Sequence, residues 1–219
     1  MAYDLEEQEQ IASFKAFWSK YGNLITWVLI LALGSFAAYN FWNSHTRKQS
    51  VEASALYDEL TDAVTAKDNA KSQRIASDIQ SKYKRTAYAQ MSALAAAKTA
   101  FETNDLKTAK AQLQWVLDNG KDDAYQSVAR LRLAGVLLDE KNFDGAMKLL
   151  NEKFLPQFSA EVSDRKGDVL VAQNKIADAR AAYVAALAAM GPKHPGSQLV
   201  RIKLEAIGGT APAAPKAAA

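Results

Sequence analysis

No cysteine occurs in the 219 residues of the chain. That absence excludes disulfides, thiolate nucleophiles and thiolate zinc sites together. It is compatible with an oxidising compartment, although many proteins of reducing compartments lack cysteine too. Histidine is almost as scarce, with only His45 and His194. No H-E-x-x-H, no glycine-rich phosphate loop and no G-x-S-x-G pattern is found. Acidic doublets such as Asp122-Asp123 and Asp139-Glu140 occur, but neighbours on a helix point in different directions. They read as solvated or capping groups. The expectation is a protein with no enzymatic activity, no catalytic residue, no cofactor and no metal site.

Concentrated charge is missing as well. The net charge is +3. Residues 1–22 carry Asp4, Glu6, Glu7 and Glu9 against Lys15 and Lys20, so the excess of +5 is spread over the remainder. No basic run gathers it, which argues against a nucleic-acid partner. Proline is absent before Pro156, and no period-two runs of β-branched residues appear. An all-α chain is expected.

One long uncharged stretch stands out, "NLITWVLILALGSFAAYNFW" at 23–42. A membrane-spanning helix needs about 20 mostly apolar residues. No formal charge lies between Lys20 and Arg47. Trp18, Tyr21 and Trp27 gather near one end; Tyr39, Phe41 and Trp42 gather near the other. Aromatic rings with a polar tip favour the headgroup level. A buried core helix is the alternative, but soluble helices carry a polar face. A cleaved signal peptide is another, with Ser35-Phe36-Ala37 as its cleavage site. It calls for a short basic leader and an apolar core of roughly 7–15 residues, against a long acidic leader here. An uncleaved anchor over residues 23–43 is the expectation, with lipid as its surroundings.

Ile11, Phe14, Trp18 and Tyr21 share one helical face, which predicts a short amphipathic segment within residues 1–22. Gly22-Asn23 then reads as the bend into the span. Gly34 and Ala38 form a small-xxx-small pair that lets another helix approach. Orientation stays open on charge alone. Lys15 and Lys20 precede the span, and Arg47 and Lys48 follow it.

The remainder, 47–207, repeats itself. "LKTA", "FDGA" and "IADA" end at Ala109, Ala146 and Ala179, spaced 37 and 33 residues apart. Small residues stand twelve positions earlier: Ala97, Ala134 and Gly167. Four positions after each alanine come Leu113, Leu150 and Tyr183. Asn104, Asn142 and Asn174 mark the turns between. Small residues at two facing points let antiparallel helices pack closely, and Gly191-Pro192 breaks the last one. A fainter copy puts Ala76 in the alanine position, 33 residues before Ala109. Residues 195–207 read as a capping helix with Leu199, Ile202 or Lys203, Leu204 and Ile207 inward. Residues 208–219, rich in alanine and proline, read as a disordered tail.

This pattern resembles tetratricopeptide repeats. The resemblance implies a solenoid whose groove is lined by the first helix of each pair. Carried over, it points to Met91, Leu94, Lys98 and Phe101, then Leu131, Leu138 and Asp139, then Asp164, Asp168 and Val171. The alternative is that several of the apolar ones simply pack against neighbouring helices. Some arrays clamp a terminal carboxylate with Lys and Asn. Here the matching places hold Leu94/Lys98, Leu131/Gly135 and Asp164/Asp168, so chaperone C-terminal tails are not expected ligands.

The order of parts is more specific: "FKAFWSKYG", the span, "FWNSHTRK", "ASALYDEL", "AKAQLQWVL", "ARLRLAGVLLDE" and "SDRKGDVLVAQNK". It resembles the YfgM family of ancillary SecYEG translocon subunits over residues 10–207. That resemblance implies a bacterial inner-membrane protein with a cytoplasmic N-terminus and a periplasmic repeat domain. It implies SecYEG, the membrane-anchored chaperone PpiD and secreted polypeptides as partners. A membrane-anchored scaffold for another envelope assembly, such as division or outer-membrane biogenesis, remains the alternative on fold alone.

Overall fold

The computed structural model describes residues 2–190 and 194–210. Among the described residues there are helices and no strand. The chain divides into two compact units after Val51. Gly191-Pro192 and most of the Ala/Pro tail lie outside the described residues.

The first helix, α1 (Ala2–Thr65), runs through Gly22-Asn23 without interruption. The bend expected there is absent. Two weak helix formers cost only about 1 kcal/mol or less each, and neither lacks an N–H as proline does. The Thr26 hydroxyl also donates to the Gly22 carbonyl at 2.8 Å. The Trp18 indole covers Gly22, reaching to 3.0 Å of where a Cβ would stand. This helix is long and apolar enough to cross a membrane, and none of its apolar window is buried.

In the second unit the last turns of α1 pair with α2 (Asn69–Lys82). Three further pairs follow: α3 (Ala87–Glu102) with α4 (Leu106–Asn119), α5 (Asp123–Asp139) with α6 (Phe143–Leu150), and α7 (Ser159–Ala172) with α8 (Ile176–Ala189). Helix α9 (Ser197–Ala206) packs on α8. The turns inside the four pairs are the same device. Lys67, Asn104, Lys141 and Asn174 all take φ near +60°. The next residue donates its N–H back to the fifth carbonyl before it: Asp68 to Ala63, Asp105 to Ala100, Asn142 to Leu137, Lys175 to Leu170. The left-handed residue bonds three back in each case. This is the Schellman closure of a helix. The residue after it then caps the next helix. Asp68, Asp105 and Asn142 accept from the backbone N–H three residues on; Lys175 supplies no cap. In the third pair the turn residue is therefore Lys141, not Asn142, whose side chain is occupied as the cap.

Ala109, Ala146 and Ala179 are fully buried, each at the start of the second helix of its pair. Counting from the turns moves the first copy. Lys67 precedes Asn104 by 37 residues, so the counterpart of Ala109 is Ser72 and not Ala76. Ser72 is fully buried, and its hydroxyl donates to the Asp68 carbonyl at 2.8 Å. Leu60 then takes the place of Ala97, and Ala76 the place of Leu113. The sizes are exchanged between the two helices. The pairs Leu60/Ala76, Ala97/Leu113 and Ala134/Leu150 each share one core cluster. Gly167/Tyr183 is the extreme case, since a Cβ on Gly167 would meet the Tyr183 ring at 2.4 Å. A fixed volume is filled each time, from alternate sides.

Helix α9 buries Val200 and Leu204, packs Ile207 against the same cluster, and leaves Leu199 and Ile202 exposed. The expected inward face is rotated. Lys203 decides it, because its ammonium reaches Asp164 Oδ1 and Asp168 Oδ1, both at 2.8 Å.

Candidate protein-binding cleft

A concave cleft of about 350 Å³ opens in the second unit. Its floor is apolar, with Ala97 and Phe101 from α3, Leu113 from α4 and Val136 from α5. Its walls are cationic, formed by Lys98, Arg132 and Arg165, with Asp139 as the acid at the edge. Gly135 keeps the middle open, and the Arg165 guanidinium lies 3.6 Å from where its Cβ would be.

The two arginines occupy equivalent positions, two residues before Ala134 and Gly167. Arg132 Nη1 donates to the Leu94 carbonyl at 3.2 Å. Burial lowers the pKa of its guanidinium from the ordinary value, the sign of a charge with no carboxylate close enough to offset the lost water. Arg165 meets Asp168 at 3.5 Å. That carboxylate is already engaged by Lys203 and by the Tyr183 hydroxyl, which donates to it at 2.9 Å. Lys98 and Glu102 stand 3.7 Å apart at the exposed rim. In a larger cleft beside α4 and α6, Lys110 meets Glu140 at 2.8 Å and Arg130 meets Glu152 at 3.0 Å.

Of the residues expected on the groove, Lys98, Phe101 and Asp139 line this cleft. Leu94 lies in the core beneath it. Leu131 and Leu138 pack against the cluster of Ala134, Ala146 and Leu150, and Val171 packs against that of Tyr183 and Leu187. Met91 is half-buried on α3, outside the cleft. Asp164 and Asp168 hold Lys203 of α9. Burial raises the pKa of Asp164, an effect its bond to Lys203 opposes. Arg132 and Arg165 are missing from the sequence-based set. Their shared offset from Ala134 and Gly167 was the signal, and it was hidden because an arginine on an amphipathic helix reads as solvated surface.

On α1, Trp18, Tyr21, Trp27, Tyr39 and Trp42 are exposed. Gly34 has nothing within 4 Å of its absent Cβ, and Ala38 is exposed one turn on. The small-residue face is open.

The tetratricopeptide repeat-like domain family matches residues 15–209. The chain is 32% identical to an ancillary SecYEG translocon subunit of Neisseria gonorrhoeae over 94% of this chain and 100% of that protein. It is 34% identical to the protein of the same name from Haemophilus influenzae, over 79% and 84% of the two chains. For that of Escherichia coli K12 the identity is 30%, over 82% and 86%. No solved structure matches the chain at a significant level. An N-terminal helix fit for a membrane, a stack of helix pairs and similarity over nearly the full length of these relatives agree: the chain belongs to the tetratricopeptide repeat-like family of ancillary SecYEG translocon subunits.

Proposed function

We propose that this protein is a non-catalytic ancillary subunit of the SecYEG translocon that links emerging secreted polypeptides to a periplasmic chaperone of the PpiD type. The supporting observation is that similarity to proteins named as such subunits runs through both the apolar helix and the repeats. In this reading residues 1–22 are cytoplasmic, 23–43 cross the inner membrane and 47–207 form a periplasmic domain. Anchoring confines the cleft to the membrane plane, which raises its effective concentration near the channel without any new contact.

The test is photo-crosslinking in living cells from Gly34, Ala38, Phe101 and Asp139, with the captured partners identified. Translocon subunits are expected from the first two positions, and chaperone or secreted chains from the last two. Capture of division or outer-membrane assembly proteins alone would replace this reading with an envelope scaffold. A reporter fused after Ile207 that works only in the periplasm should be active; activity of a cytoplasm-only reporter there would reverse the orientation.

A further inference from the structure

Polypeptide capture alone would need an apolar groove, yet this cleft gathers three cations over its apolar floor against one acid. Two of them, Arg132 and Arg165, come from equivalent positions on successive helix pairs, so they lie on one face in register. Neither has a carboxylate to itself. Arg132 bonds only a backbone carbonyl among the described residues, and Arg165 shares Asp168 with a lysine and a tyrosine. A guanidinium offers a planar fork that matches a carboxylate and stays charged at any physiological pH. Phe101, in the apolar floor of the same cleft, is 45% exposed, a large ring open to water. Gly135, with no side chain of its own, leaves the Arg165 guanidinium uncovered where it lines the cleft.

We propose that the cleft binds an extended polypeptide segment in which a carboxylate side chain lies beside a large apolar one, the carboxylate on Arg132 and Arg165 and the apolar group on Phe101 and Val136. This rests on the preceding reading for the statement that the cleft meets unfolded chains. It adds which chains: those with acid–aromatic or acid–aliphatic neighbours. Charge complementarity selects this occupant, since a cationic segment would face three like charges and a purely apolar one would desolvate the two guanidiniums without offering them a carboxylate.

The experiment uses the full chain in uncharged detergent micelles and fluorescein-labelled glycine/serine peptides with blocked ends. One carries a central Glu-Phe, and its twins carry Gln-Phe, Lys-Phe and Glu-Ser. A further peptide lacks Glu and has a free C-terminal carboxylate. Fluorescence anisotropy should give the Glu-Phe peptide an affinity about tenfold above its Gln-Phe twin, the scale of one charge-assisted bond. The preference should shrink as salt rises. Arg132→Gln and Arg165→Gln should each remove most of it. Gly135→Glu tests the same point without deleting anything, because it sets a carboxylate of the chain's own beside Arg165, and it should lower Glu-Phe binding to the Gln-Phe level. Equal affinities for the twins would overturn the proposal. So would a preference untouched by Arg165→Gln and Gly135→Glu, or tighter binding of the peptide with the free terminus. Loss of the preference with translocon crosslinks intact sinks this inference alone; an intact preference without those crosslinks sinks the preceding reading alone.

Discussion

Gly167 and Tyr183 show how far a single pair of residues carries the fold. The ring fills the space that a methyl group would need, so Gly167→Ala should overpack the contact and cost about 1–3 kcal/mol. Adding Tyr183→Leu recreates the size match of Ala134 with Leu150 from the pair before. The double variant should recover most of the loss in thermal unfolding. If the single variant melts like the parent, the close approach is not what holds these helices. The same exchange of sizes explains where sequence reading stopped. Ala109, Ala146 and Ala179 are legible because alanine recurs at a fixed offset. The first copy is not, because Leu60, Ser72 and Ala76 fill the same volume with the large residue on the opposite helix. Pattern matching compares positions one at a time, whereas packing conserves only the sum.

At the scale of the helix, the turns make the clearest case. Three of the four turns inside the pairs supply a side chain that caps the following helix, and Lys175 does not. Lys175→Asp should provide the missing acceptor for the N–H three residues on, and should favour the positive end of α8. A gain of about 1 kcal/mol is expected, visible as a higher melting temperature; an unchanged or lower value would mean that the cap is already satisfied by water. Asp105 shows what such a cap does to a carboxyl group. Its bonds to Thr108 hold its pKa below the ordinary value of 3.8. Its contribution is therefore present above 3.8 and is lost as pH falls through the depressed folded value. These turns were only half legible. Asparagine announces a left-handed residue at 104 and 174, but at 67 and 141 lysine takes that conformation, which no local preference predicts. The closing backbone bonds stabilise it there.

Across the whole molecule, Lys203 ties the last helix to the stack. It joins two carboxylates of α7 that lie 39 and 35 residues away in sequence, and this distance is why the contact is not legible in advance. Lys203→Met should leave Asp164 and Asp168 facing each other with their charge uncompensated. A loss of about 1–3 kcal/mol is expected in chemical unfolding. Asp164→Asn in that background should return part of it, because it removes one of the two like charges. If the two substitutions simply add, the residues are not coupled. Asp164 also predicts a pH effect. Burial raises its folded pKa above 3.8, so its contribution to stability falls as pH climbs from 3.8 through the raised value. Asp164→Asn should flatten the stability profile over that window, read by unfolding at stepped pH. The cleft was legible in Lys98, Phe101 and Asp139, whose repeat positions point to one face. It was not legible in Arg132 and Arg165, because an arginine on an amphipathic helix reads as solvated surface.

The three-residue links inside the helix pairs also bear on timing. Every pair closes on itself within about one repeat of chain, and its remaining contacts go to the pair before or after. Contacts this local make a fold quick to form, and in a stack they let structure grow from one end. A chain delivered N-terminus first can thus complete its helix pairs in the order in which they arrive, each new hairpin docking on a finished one. Helix α9 follows α7 in the chain, so its lysine can meet Asp164 and Asp168 only after α7 has formed, and in such delivery that contact closes late.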